Sequence, residues 1–113
     1  MEEFKQEIRP YNPSTMLVKV TGALDAGTAI QMEMGIAPHL KNPAVKNFII
    51  EVPDLTFVSS SGLRVFMVII KALTPKEGKL FLVGAGDQVA GLVKMAGMGK
   101  WINMRNSAQE CEV

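Results

Sequence analysis

Histidine and cysteine are almost absent from this chain, which has one of each, His39 and Cys111. A lone cysteine cannot close an internal disulfide, and this one is predicted to be a thiol on the surface or in the tail. His39 stands apart from any cysteine or carboxylate cluster at metal-ligand spacing and is predicted to be a surface residue. Its position also argues against a Ser-His-Asp triad, because it lies toward the far end of its helix from the serines. We therefore expect neither a metal site nor a cofactor.

An excess of charge and long apolar runs are also missing. The chain has 12 basic and 11 acidic residues, so it shows no electrostatic footprint for nucleic acid or for an anionic membrane. Its longest apolar stretch, near residues 63–70, is far shorter than the ~20 residues that span a bilayer. The N-terminus lacks the basic start and apolar core of a signal peptide. The expectation is a cytoplasmic protein without nucleic-acid or membrane partners.

The apolar content of 48% is sufficient for one core, and residues 1–113 are predicted to form a single domain. Hydrophobic periodicity predicts the element order β-β-α-β-α-β-α-β. This alternation indicates an α/β fold with a mixed, mainly parallel sheet, an antiparallel pair at its N-terminal edge, and packed helices. Strand patterns occur near residues 4–8, 16–21, 48–52, 79–83 and 101–104.

The first predicted helix begins near residue 26 and contains Gly35 and Pro38, so it is expected to tighten or to end early, near Pro38-His39. One apolar stripe of this helix is predicted to face the core. A second stripe is formed by Ile30, Met34 and Ala37. This second stripe is either part of a wide buried face or a surface that docks a partner, since methionine suits adaptable contacts.

Three consecutive serines separate a strand pattern from a helix pattern in the stretch Asp54-Leu-Thr-Phe-Val-Ser-Ser-Ser-Gly-Leu-Arg64. Hydroxyls at such a junction suit either helix capping or chemistry on a hydroxyl. The loop at residues 52–61 is expected to meet the loops at 22–28 and 84–87, because the carboxyl ends of parallel strands share one edge of the sheet. These three loops are the predicted site.

Motifs for other chemistry are incomplete in these loops. The serines lack a G-x-S-x-G elbow. Gly84-Ala-Gly86 lacks the third glycine of a dinucleotide motif, which leaves a tight turn and a nucleotide contact as alternatives. Asp25 and Asp54 are either cap or loop carboxylates or a metal or acid pair. A small nucleotide-using enzyme has the least support, because no general base or complete phosphate loop is found.

The chain contains two blocks that carry a family pattern, Val18-Lys-Val-Thr-Gly-Ala-Leu-Asp25 and Leu55-Thr-Phe-Val-Ser-Ser-Ser-Gly-Leu63. The turn at Lys94-Met-Ala-Gly-Met-Gly-Lys-Trp101 supports them. In order and spacing, these residues resemble the STAS domain of bacterial anti-sigma factor antagonists, also called anti-anti-sigma factors. The resemblance covers about residues 15–104 and implies a mixed sheet with helices on its faces.

The resemblance also implies a mechanism. In this family, a partner anti-sigma factor that is itself a serine kinase phosphorylates one serine of the junction. Only the unphosphorylated antagonist binds that partner and frees a sigma factor. Carried over by position, the phosphoacceptor is Ser60, with Ser59 and Ser61 as alternatives. The family often has aspartate where Ser59 stands. Capping of the second helix by Ser59 or Ser60 is the alternative that needs no kinase.

The predicted function is therefore a non-enzymatic anti-sigma factor antagonist, switched off by serine phosphorylation. A STAS adaptor that regulates a transporter or a lipid-transfer ATPase is the alternative. A phosphate at a helix N-terminus should be compatible with the fold, whereas it should oppose docking on that surface. The predicted partner-binding residues are Asp25, Ile30, Met34, Asp54, Ser59, Ser60, Ser61, Val65 and Ile69.

Overall fold

Six strands and three α-helices form the part of the chain that the structure, a computed structural model, describes, residues 3–113. Two 3₁₀ turns, at Thr74–Lys76 and Ala108–Glu110, complete it. The strands are β1 (Lys5–Asn12), β2 (Thr15–Leu24), β3 (Asn47–Glu51), β4 (Leu55–Val58), β5 (Leu80–Val83) and β6 (Ile102–Arg105). The helices are α1 (Ala26–Lys41), α2 (Ser60–Leu73) and α3 (Asp87–Met95).

The sheet has the order β1-β2-β3-β5-β6. The β1–β2 pair is antiparallel, and the β2–β3, β3–β5 and β5–β6 pairs are parallel. This arrangement confirms the predicted α/β fold with an antiparallel N-terminal edge. None of the helices within residues 3–113 combines the length and the apolar character that a bilayer-spanning segment needs.

One strand, β4, is missing from the predicted element order. It has four residues, and both Thr56 and Phe57 are exposed, so its sequence lacks the continuous apolar run of the central strands. β4 pairs in parallel with the end of β2. The strand predicted near residues 16–21 is also longer in the structure, because β2 continues through Gly22 to Leu24.

Gly22 explains how β2 has two parallel partners. Its φ of +96° belongs to the left-handed region that favours glycine, and the pairing with β4 shifts register between Gly22 and Ala23. Residues 15–19 of β2 pair with β3, and residues 22–24 pair with β4. The shift leaves Thr56 of β4 without a register partner on β2, and the last residues of β2 pair with the strand that leads to the serines.

The helices pack on one face of the sheet, where alternate strand residues enter the main core. The other face is smaller and carries Leu17, Ile49 and Phe81, which are covered by Cys111 and the C-terminal 3₁₀ turn. The prediction of a surface or tail thiol is therefore wrong. Cys111 is only 8% exposed, and its burial raises the pKa of the thiol.

The early end predicted for α1 is also wrong, since the helix continues through Pro38 to Lys41. Pro38 is exposed. Lys76 stabilises the C-terminal end of α1. Its ammonium group donates to three backbone carbonyls at 2.8–3.0 Å. These carbonyls belong to Leu40, Asn42 and Val45. A cation at a helix C-terminus satisfies the free carbonyls and favours the helix dipole.

Candidate functional site

The loops that follow the parallel strands meet at one edge of the sheet, as predicted. The amide of Ser59 donates to the carbonyl of Leu24 at 2.8 Å, which joins the start of α2 to the start of α1. The amide of Val52 donates to the carbonyl of Val83, also at 2.8 Å. The third loop, at residues 84–87, is thereby attached to the start of the second loop, at the end of β4 that is opposite to Ser59.

The three serines at the start of α2 have three different environments. Ser59 is the N-cap, and its hydroxyl oxygen accepts from the amide of Gly62 at 3.3 Å. Ser60 is the first helical residue and is exposed, and its hydroxyl makes no hydrogen bond to any residue in the range 3–113. Ser61 is half-buried and lines a groove between α1 and α2. Capping thus engages Ser59 and leaves the Ser60 hydroxyl free.

The position of this helix start depends on Gly62. A Cβ atom at position 62 would lie 2.8 Å from Cγ1 of Val58 and 2.9 Å from Cβ of Leu24. Both distances are shorter than a carbon–carbon contact at optimal separation, which is about 3.5–4.0 Å. The absence of a side chain at Gly62 therefore lets the first turn of α2 pack directly on the ends of β2 and β4.

Replacement of Gly62 by alanine is expected to lower the free energy of unfolding by about 1–3 kcal/mol, because the first turn of α2 must move away from Leu24. Urea denaturation measures the change. Gly91→Ala is the matched control, since Gly91 lies within α3 with nothing within 4 Å of its added Cβ. It should gain about 0.5–1 kcal/mol from helix propensity. Equal stability of the two variants would contradict the packing argument.

Asp25 lies at the junction, one residue after Leu24, and is the N-cap of α1. Its carboxylate accepts from the amide of Thr28 at 2.9 Å, and the Thr28 hydroxyl accepts from the amide of Asp25. The hydrogen bonds from the Thr28 amide and hydroxyl lower the pKa of the Asp25 carboxyl. This capping box places an exposed carboxylate next to the segment that carries the serines.

Asp54, which the sequence predicts to be a partner-binding residue, does not lie near Ser60. Its carbonyl accepts from the amide of Gly22, at the end of β4 that is opposite to Ser59. Asp54 and Ser59 are five positions apart along extended chain, which corresponds to about 16 Å. Its side chain borders a different groove with Lys5, Glu7, Lys19 and Thr21.

Val65 and Ile69 are 2% and 0% exposed, so the prediction that they form a docking surface is wrong. The α2 pattern is apolar nearly all round, and its periodicity therefore did not define which side faces the core. Helical spacing in the sequence favours a different inward stripe, formed by Leu63, Phe66, Met67 and Ile70. The buried positions are Gly62, Val65, Phe66, Ile69 and Leu73.

Ile30 and Met34 of α1 are 60% and 71% exposed, and they line a groove between α1 and α2. A wide buried face is therefore excluded for these two residues. The groove has two adjoining parts, with volumes of about 220 and 160 Å³, that share Ile30, Glu33 and Arg64. Met34 lines one part and Ser61 the other, so the groove reaches the serine junction. Arg64 was not singled out from the sequence, although it stands four residues after Ser60.

The other candidate chemistry receives no support from the geometry. Gly84 has a φ of +75°, which makes it a turn residue, and Gly86 is the N-cap of α3. Within residues 3–113, no group of three histidine, cysteine, aspartate or glutamate side chains could hold a metal ion. The features that stand out are a free serine hydroxyl at a helix start and an exposed apolar groove beside it.

This fold and junction define a STAS domain. The sequence profile of the STAS domain family matches residues 8–111, and the chain belongs to that family. Its curated relatives include the anti-sigma-B factor antagonist of Staphylococcus aureus, which is 26% identical over 81 residues, 72% of this chain and 74% of the relative. The anti-sigma-B factor antagonist of Staphylococcus epidermidis is 25% identical over the same length. The resemblance inferred from the two sequence blocks is therefore confirmed.

Solved structures of anti-sigma factor antagonists have the same fold. The antagonist SpoIIAA in its unphosphorylated form has a TM-score of 0.82 and 20% identity, covering 93% of this chain and 91% of that protein. The phosphorylated form of Bacillus SpoIIAA has a TM-score of 0.76 and 19% identity, with 93% and 95% covered. An antagonist from Mycobacterium paratuberculosis has a TM-score of 0.83 and 18% identity, with 96% and 90% covered. The predicted STAS-like sheet is confirmed by these structures.

Proposed function

We propose that this protein is an anti-sigma factor antagonist whose unphosphorylated form binds an anti-sigma factor with serine kinase activity and so releases a sigma factor. Phosphorylation of Ser60 ends this binding. The observation that carries the proposal is the free, exposed hydroxyl of Ser60, next to a serine that already caps the helix. The similarity to anti-sigma-B factor antagonists supports the choice of partner.

The start of α2 suits both the unmodified and the phosphorylated serine. An exposed hydroxyl is accessible to the active site of a kinase, and its modification does not remove the cap that Ser59 supplies. Phosphate adds a charge of about −1.5 to −2 at neutral pH. Amides of the first helical turn lack acceptors within the helix, and the helix dipole favours an anion there. The fold should therefore be retained after phosphorylation.

The proposed docking surface extends from this junction along the groove between α1 and α2. Ile30 and Met34 supply exposed apolar contacts, and Asp25 supplies a carboxylate at the N-terminal end of α1. Exposed apolar side chains beside a polar rim are typical of protein-binding surfaces. Because Ser60 lies at the same end as Asp25, a phosphate on it would stand within the region that the partner covers.

Incubation with the cognate anti-sigma kinase and ATP is expected to add one phosphate to the protein, and Ser60→Ala is expected to abolish the labelling. Intact-mass spectrometry measures the incorporation. Ser59→Ala is the matched control, because it should lose about 1 kcal/mol of stability with the helix cap and still be labelled. Full phosphorylation of Ser60→Ala would refute the assignment of the acceptor. Co-purification of a transporter or ATPase subunit in place of a kinase would favour the adaptor function instead.

A further inference from the structure

Arg64 is an exposed cation on the same face of α2 as the serine junction. It lines both parts of the groove together with Ile30 and Glu33. Within residues 3–113, no carboxylate oxygen lies within the 4.0 Å that defines an ion pair with Arg64, although Glu33 borders the same groove. The guanidinium is therefore available to a new anion.

We propose that Arg64 binds the phosphate of phosphorylated Ser60. Residues four positions apart on a helix have Cβ atoms about 5–6 Å from each other, and the favourable order places the anion N-terminal to the cation. Ser60 and Arg64 have this spacing and this order. A guanidinium can donate two parallel hydrogen bonds to phosphate oxygens, which makes the pair stronger than a single ion contact.

Carboxylates of the groove and of the serine junction compete only weakly with such a phosphate. Glu33 carries one charge and makes no ion pair with Arg64 in the unmodified protein. Asp25 is engaged by the amide and hydroxyl of Thr28. A phosphate dianion on Ser60 offers three acceptor oxygens and more charge than either carboxylate. We therefore expect Arg64 to pair with the phosphate.

This ion pair gives the phosphorylation a second effect on the groove. When the guanidinium turns toward the phosphate, it leaves the part of the groove that Met34 and Ala37 line and moves toward the part near Ser61. Arg64 is then withdrawn from any partner carboxylate that it would bind in the unmodified state. The inference rests on the proposed function for the identity of the acceptor, and it adds the residue that responds to the modification.

The test uses the full chain with phosphoserine encoded at position 60, titrated by ³¹P NMR. With Arg64→Gln, the second pKa of the phosphate is expected to rise by about 0.3–0.7 unit, because the dianion loses its cation. Lys71→Gln is the matched control, since it removes the same charge from the same exposed helix surface. Lys71 is eleven positions from Ser60, about 16 Å along the axis, and its replacement should leave the titration unchanged.

An equal titration of the Arg64→Gln and parent proteins would overturn the proposal. Arg64→Lys retains the charge without the planar fork and should restore part of the shift, and no restoration would contradict an ion pair. Circular dichroism establishes that each variant remains folded. Because the phosphoserine is encoded, the outcome is independent of any kinase. Failure of the Arg64 pair is thus distinguishable from failure of Ser60 as the natural acceptor.

Discussion

Phosphorylation of Ser60 is expected to weaken binding of the partner anti-sigma factor by a hundredfold or more. Docking on the groove between α1 and α2 would place a dianion against the partner at the start of α2, close to the carboxylate of Asp25. Mismatched charge in an interface costs several kcal/mol, and each 1.4 kcal/mol is a factor of ten in affinity. Two such factors give the expected loss. Isothermal titration calorimetry with the unmodified and the phosphorylated protein measures it.

Two variants separate charge from shape in this experiment. Ser60→Ala removes the acceptor hydroxyl and should bind the partner as tightly as the unmodified protein. Ser60→Asp adds one negative charge and should weaken binding, though less than the phosphate dianion does. The circular dichroism spectra of all forms should be the same, since Ser60 is exposed and Ser59 retains the helix cap. Tight binding by the phosphorylated protein would contradict the proposed switch.

Replacement of Gly78 by alanine is expected to destabilise the fold by about 3 kcal/mol or more. A Cβ atom at position 78 would overlap the backbone carbonyl group of Lys46. Backbone atoms cannot turn aside as the end of a flexible side chain can, so the connection between α2 and β5 must be displaced. Gly78 is also held in place, because its amide donates to the carbonyl of Leu73 at 3.0 Å.

Thermal unfolding checks this prediction, and the midpoint is expected to fall by roughly 10 °C or more. Gly99→Ala is the matched control. Gly99 lies in a loop, and its added Cβ would have no neighbour nearer than the Lys94 side chain at 4.0 Å. It should therefore melt close to the parent protein. Similar midpoints for Gly78→Ala and Gly99→Ala would show that the connection at Gly78 adapts without cost.

The site could be predicted from the sequence only in part. The meeting of the three loops followed from the alternation of strands and helices, and the exposure of Ile30 and Met34 was one of two stated alternatives. Asp54 was misplaced because β4 was read as a loop, and a loop brings its two ends closer than an extended strand does. Cys111 was misplaced because no local pattern shows that a short C-terminal turn covers the second face of a sheet.

Features that depend on neighbouring residues could be predicted from the sequence alone. Apolar periodicity and turn residues predicted five of the strands and the three helices, and the order of residues in the serine block indicated the STAS family. The tertiary structure was needed to define the rotation of α2, which buries Val65 and Ile69 and exposes Arg64. It also placed Ser59 against Leu24, 35 residues earlier in the chain. An almost uniformly apolar helix can bury several faces, so contacts with distant segments select one.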